Sequence, residues 1–178
     1  MRTRDAIRAG LTDEAALICT LLGEAASEPL EGQVAVACAI RNRVRTDLGN
    51  DGKDDWWGEG YRAVCLKLKQ FSCWWETHPN TDRVYALAEK FLDEFAGGAA
   101  DAAAAIYTME DLSPELEAVV QQLHWVAVGV MSGALQDRAK GADHYLTTAL
   151  LHSPAAPPWA KTKPAVAVVG AHTFFRLG

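Results

Sequence analysis

The hydrophobic positions of this chain recur mostly at helical spacing. Ala16, Leu17, Thr20 and Leu21 follow Thr12, whose hydroxyl can cap a first helix, and Gly23 offers a stop. Pro29 suits a turn into a second helix, predicted over 31–45. Its run from Val34 to Ile40 is apolar nearly all round, the pattern of a buried central helix. A third helix is predicted over 61–69, with Val64, Cys65 and Leu68 on one face. A fourth covers 81–95, with Val84, Leu87, Ala88, Phe91, Leu92 and Phe95 as its core stripe, and Gly97-Gly98 ends it. Ser113-Pro114 opens a fifth, over 113–132, with Pro at the first helical position and Glu115 and Glu117 placed to suit the helix dipole.

The stretches between break that period. Residues 47–60 are a loop rich in glycine and aspartate, 70–75 are short and aromatic, and 101–106 are alanine-rich, either helical or a loose connection. After Gly133 the helical pattern fades. Residues 166–169 and 172–176 are β-prone and joined by Gly170-Ala171, which predicts a hairpin. The fold class is therefore mainly α, with a small C-terminal β-hairpin element.

Composition narrows the function. A chain of 178 residues with 49% hydrophobic content can bury one substantial core. Its net charge of −6 argues against nucleic-acid binding, which needs a basic surface. Arg41, Arg43 and Arg45 read as the solvated end of the second helix. The charged start Met1-Arg2-Thr3-Arg4-Asp5 is not followed by a signal-like apolar stretch, and no apolar run reaches the roughly 18 residues of a membrane helix. Cytoplasmic synthesis without membrane insertion is the expectation. Cys19, Cys38, Cys65 and Cys73 form no zinc-type pair; the first three fall on apolar helix faces, where a free cysteine acts as a small hydrophobe. The histidines have no ligand spacing, so neither metal nor cofactor is expected.

Glu24 carries the clearest candidate chemistry. It lies where one apolar helix ends and another follows. Low dielectric favours the protonated form of a carboxyl, which suits a general acid; the same position also suits a solvated surface glutamate. Six tryptophans are many for this length. Trp56, Trp57, Trp74 and Trp75 fall in loop or irregular segments, where indole faces can meet sugar rings, whereas Trp125 is expected in the core.

Four segments in order resemble the cell wall hydrolase family that includes the spore cortex-lytic enzymes. They are Leu22-Gly23-Glu24-Ala25 with Glu31-Gly32-Gln33-Val34-Ala35-Val36-Ala37 and Asn42-Arg43-Val44; Gln70-Phe71-Ser72-Cys73-Trp74; Gly141-Ala142-Asp143-His144-Tyr145 with Pro158-Trp159-Ala160; and Gly170-Ala171-His172-Thr173-Phe174-Phe175. The resemblance spans 11–176. It implies a lysozyme-like helical fold in one catalytic domain, 1–178, with 47–60 and 99–112 as loop insertions. It also implies action on the MurNAc-GlcNAc strands of peptidoglycan, with Glu24 at the family's acid/base position. Ser72 and Tyr145 are expected to orient Glu24 or bind the sugar's N-acetyl group, Gln70 and His144 to line the groove, Trp74 to face a sugar, and His172 to buttress the site. The family often has a second histidine after His-Tyr; here Leu146 stands there, which weakens any two-histidine metal role.

Family members are described as lytic transglycosylases or muramidases. Two-carboxylate hydrolysis needs a partner at roughly 5–9.5 Å from the acid, for which Glu28, Glu31 and Asp143 are candidates. A transglycosylase needs none, because the muramic acid C6 hydroxyl attacks its own C1. Transglycosylase chemistry is the expectation and a muramidase the alternative. The expected setting is a phage endolysin or virion-associated lysin, given access by a holin or an injection apparatus; a bacterial enzyme is the alternative. Two further readings stay open: a non-catalytic wall-binding or virion module on the same fold, and an amidase or peptidase using Cys73 or a histidine. Chain and wall polymers are both anionic, so binding is expected through a local groove with Arg43 or Lys67 near its rim.

Overall fold

The computed structural model describes residues 2–46, 57–74 and 77–177. Residues 47–56 of the expected 47–60 insertion, with Trp56, lie outside the described residues, as does Trp75. The helical part runs α1 (Arg4–Gly10), α2 (Asp13–Ala25), α3 (Leu30–Arg45), α4 (Gly60–Leu66), a 3-10 turn (Ser72–Trp74), α5 (Thr81–Ala96), α6 (Ala102–Thr108) and α7 (Pro114–Met131). The C-terminal part adds β1 (His144–Thr147), α8 (Thr148–Leu151), α9 (Pro158–Thr162), β2 (Ala165–Val169) and β3 (His172–Phe175).

Local chemistry sets the helix starts. Thr12 Oγ1 accepts the Ala15 N–H at 3.2 Å, and Ser113 Oγ accepts that of Leu116 at 3.2 Å, ahead of Pro114. Asp101 caps α6 in the same way at 2.8 Å. Of the two readings of the alanine-rich stretch, helix or loose connection, the structure has the helix.

Two helices form the centre. α2 is buried at every residue from Ala15 to Gly23, and α3 from Gly32 to Arg41. α2 packs on α3, α4, α5 and α7, whose apolar stripes enclose it. Each Leu, Ile or Phe fully buried there contributes about 1.5–3 kcal/mol. Four sequence expectations change. α4 ends at Leu66, leaving Leu68 77% exposed. Trp125 is 53% exposed rather than in the core. Arg41 and Arg43 are buried, not solvated: Arg41 donates to the carbonyls of Val130, at the end of α7, and Leu135, in the turn after it. Finally, Gly23 does not stop α2.

Gly23 instead permits a close approach. A Cβ on it would lie 2.3 Å from Cys73 Cβ and 2.7 Å from Cys73 Sγ. Only a glycine lets the 3-10 turn rest on the last turn of α2. Asn80 Nδ2 donates to the Gly23 carbonyl at 2.7 Å, satisfying one of the acceptors that a helix end leaves open.

The predicted hairpin is present as β2 and β3, but β1 joins its other side to make an antiparallel sheet of order β1-β3-β2. Tyr145 stands opposite Phe174, and both pack on the main core. Leu146 and Phe175 face the other way, onto Ala160 and Trp159. Gly170 turns the hairpin at φ 57, and a Cβ there would lie 2.1 Å from Glu28 Oε2. That carboxylate accepts the Ala171 N–H at 2.9 Å, tying the α2–α3 connection to the hairpin.

Two stability predictions follow from this packing. Gly23→Ala will overpack the Cys73 contact and cost about 1–3 kcal/mol, read as a lower urea midpoint with unchanged slope. His144 supplies a pH test. Burial pushes its pKa below the ordinary imidazole value and outweighs the opposing pull of Asp143 at 2.8 Å. The folded state then takes up a proton less readily than the unfolded state, whose imidazole titrates at about pH 6.5, so this contribution is full at higher pH and falls as pH drops through that value. The urea midpoint of His144→Gln should fall less between pH 7 and 5 than that of wild type; parallel curves would refute it.

Candidate active site

Glu24 sits half-buried in the last turn of α2 and opens onto a cavity of about 200 Å³. Its lining residues are Glu24, Arg43, Lys69, Gln70, Ser72 and Tyr145. Three separate parts of the chain meet there: the ends of α2 and α3, the segment leading into the 3-10 turn, and β1.

Each carboxylate oxygen of Glu24 has its own donor. Oε1 accepts the Cys73 backbone N–H at 3.2 Å, and Oε2 accepts the Tyr145 hydroxyl at 3.4 Å. The first contact exists because Gly23 lets the 3-10 turn approach. The second exists because β1 lays Tyr145 against the core, with its ring edge-on to His172 at 5.2 Å. Burial, and next the nearby Glu24 carboxylate, push the Tyr145 phenol well above its usual pKa. The hydroxyl keeps its proton and remains a donor.

Arg43 forms a fixed wall. Nε donates to the Asp143 carbonyl at 2.5 Å and Nη1 to Gln70 Oε1 at 3.3 Å, while the guanidinium lies over the Trp57 ring at 4.7 Å and the Phe71 ring at 5.1 Å. Burial lowers its pKa below the ordinary guanidinium value, and the acidic groups around it, Tyr145 and Asp143 first, pull the other way. Gln70 is held by this contact, whereas Ser72 is exposed at the mouth.

The expected groove residues thus divide. Ser72, Gln70 and Tyr145 join Glu24 in the cavity; Trp74 and His144 do not. Trp74 is buried, its indole N–H donates to Thr20 Oγ1 at 3.0 Å, and Tyr85 packs edge-on at 5.3 Å, so the ring supports the 3-10 turn from within. His144 pairs with Asp143 and packs between Trp57 and Trp159. On a strand, neighbours point to opposite faces, so His144 and Tyr145 could not both face Glu24. Lys67 borders a different cavity, with Arg4, Arg8 and Trp74. Two contributors were missed: the Cys73 N–H, a backbone group without a side-chain signature, and Lys69.

Two of the other three candidate carboxylates are engaged elsewhere. Glu28 holds the hairpin turn, and its Oε2 lies 3.7 Å from His172 Nδ1. Asp143 Oδ1 takes His144 and the Leu177 N–H, and Glu31 is exposed. Cys73 is buried, and its thiol pKa is raised by burial and then by Glu24. Among the described residues no three His, Cys, Asp or Glu side chains gather as a metal cluster, and no helix is long and apolar enough to cross a membrane.

Comparison with known proteins gives this geometry a family. The chain is similar in structure to the catalytic domain of the germination-specific lytic transglycosylase SleB from Bacillus anthracis, with a TM-score of 0.54 and 20% identity over 94% of this chain and 98% of that one. The catalytic domain of the Bacillus cereus SleB protein gives 0.53 and 20%, over 92% and 89%. At that identity the likeness speaks for the fold. No curated protein matches the sequence. The family described as Cell Wall Hydrolase matches residues 27–175, a span that begins just after Glu24 and takes in Arg43, Gln70, Ser72 and Tyr145. With that much of its 178 residues matched, the chain belongs to the cell wall hydrolase family.

Proposed function

We propose that this protein cleaves the MurNAc-GlcNAc strand of peptidoglycan as a lytic transglycosylase, with Glu24 as its acid/base. One observation carries the choice of chemistry: among the described residues lining the cavity, Glu24 is the sole carboxylate. Two-carboxylate hydrolysis requires a base or nucleophile facing the acid. Glu28 and Asp143 are bound to backbone N–H groups elsewhere. A reaction that needs one carboxyl fits what is present.

The protonated Glu24 carboxyl donates to the glycosidic oxygen as the C1–O4 bond breaks, and GlcNAc leaves with a free 4-hydroxyl. The resulting carboxylate takes the proton of the muramic acid C6 hydroxyl as O6 bonds to C1. The product is a 1,6-anhydro ring, Glu24 regains its proton, and no water is consumed. The Cys73 N–H and the Tyr145 hydroxyl, one per oxygen, hold the carboxylate in place and stabilise the anion between the two transfers. Ser72 and Gln70 are placed to meet polar groups of the sugar. Cys73 is no rival nucleophile, because its environment disfavours the thiolate.

Glu24→Gln should lower the rate of turbidity loss of purified peptidoglycan by about 10²–10⁴-fold. Wild-type digests should yield 1,6-anhydro muropeptides by mass spectrometry; reducing ends instead would assign a muramidase. Tyr145→Phe removes one donor to a charged group and should cost roughly 10–100-fold. Cys73→Ala keeps the backbone N–H and should retain most activity.

A further inference from the structure

Among the described residues, two cations of different character line the cavity. Arg43 is fixed on four sides by a carbonyl, an amide oxygen and two rings. Lys69 is exposed, and among the described residues its side chain makes no ion pair or hydrogen bond. Its backbone is also unusual. Lys69 has φ 68, in the left-handed region, within a turn closed by the Gln70 N–H to the Lys67 carbonyl at 3.1 Å. Glycine or asparagine suits such a position, and a lysine there is strained. The turn gains nothing from the side chain. Left-handed residues of this kind concentrate at ligand sites, and this one stands on the rim of the Glu24 cavity.

The substrate offers a matching group. In the glycan strand, the ring whose C1 reacts at Glu24 carries a lactyl arm on C3. That arm ends in a carboxylate when it is bare, and bears the carboxylates of a peptide when it is substituted. We infer that the Lys69 ammonium, at the mouth of the Glu24 cavity, pairs with a carboxylate on this lactyl arm, and so makes Lys69 a specificity residue for anionic glycan. The inference rests on the glycan-strand reading above. Lys69 is the cation suited to the role because its flexible arm can follow the substituent, whereas the guanidinium of Arg43 is already committed.

Net charge supplies a discriminating control. A protein of charge −6 without a local cationic subsite is repelled by carboxylates and should bind carboxyl-blocked glycan better. A Lys69 subsite reverses that order.

The test is co-sedimentation with three insoluble preparations: intact peptidoglycan, strands stripped of peptides by an amidase, and intact material with its carboxylates amidated. Wild type should bind at least one carboxylate-bearing preparation about 2–5-fold more tightly than the amidated one, the upper part of the span for a single exposed charge pair. Preference for intact material assigns the peptide carboxylates, and preference for stripped strands the lactyl carboxylate. Lys69→Asn tolerates the left-handed backbone, and Lys69→Gly relieves it; both should lose the preference, while Lys69→Arg should keep it. Wild type binding the amidated preparation equally well or better, or Lys69→Asn keeping the preference, would overturn the inference. The readout is binding, so it stands apart from the Glu24→Gln cleavage assay. Normal cleavage without the preference sinks only the Lys69 role, and an absence of glycan cleavage sinks only the glycosidase reading.

Discussion

The site depends on one close approach. Gly23, in the last turn of α2, has no side chain, and Cys73 occupies the space a methyl group would need. That contact brings the 3-10 turn onto the helix end and aims the Cys73 N–H at Glu24. Further contacts keep the turn there: the indole of Trp74 donating to Thr20, and Asn80 binding the Gly23 carbonyl. A backbone donor held this way costs no side-chain entropy to order. Its position is as rigid as the helix it rests on.

The second donor reaches Glu24 by a longer route. Tyr145 belongs to β1, which pairs with β3, and β3 follows a hairpin turn fastened by Glu28. Glu28 lies four residues beyond Glu24, in the connection from α2 to α3. The same stretch of chain therefore supplies the proposed acid/base and anchors the sheet that orients it. Two carboxylates close in sequence have separate tasks, set by what surrounds each.

Asn42 and the buried Arg43 join the helical and β parts. Arg43 takes the Asp143 carbonyl just before β1, and Asn42 takes the Ala142 carbonyl at 2.9 Å. Burying a guanidinium is costly unless its donors are met, and here the Asp143 carbonyl, Gln70 and two aromatic faces meet them. Breaking this set would expose the strain of a buried charge and loosen the cavity wall at once. Lys69, across the same cavity, stays in water with its charge free to respond to a ligand.

Periodicity alone determined much of the helical part. The apolar runs of α2 and α3, the stripe of α5, and the starts set by Thr12 and Ser113-Pro114 are local patterns, because caps and helical faces involve residues within a few positions of one another. The hairpin was legible for the same reason, and Glu24, Gln70, Ser72 and Tyr145 stood out through their segments. Tertiary structure decided what depends on residues far apart. It gave Gly23 a packing contact rather than the role of a helix stop, which no local pattern could show because Cys73 is 50 positions away in the chain. It buried Arg41 and Arg43, which local charge patterning reads as solvated, because their partners come from 130–143. It also turned Trp74 and His144 away from the cavity and brought Lys69 to its rim. Segment order marks which residues are near a site, but side-chain direction follows from strand pairing and packing against elements distant in sequence.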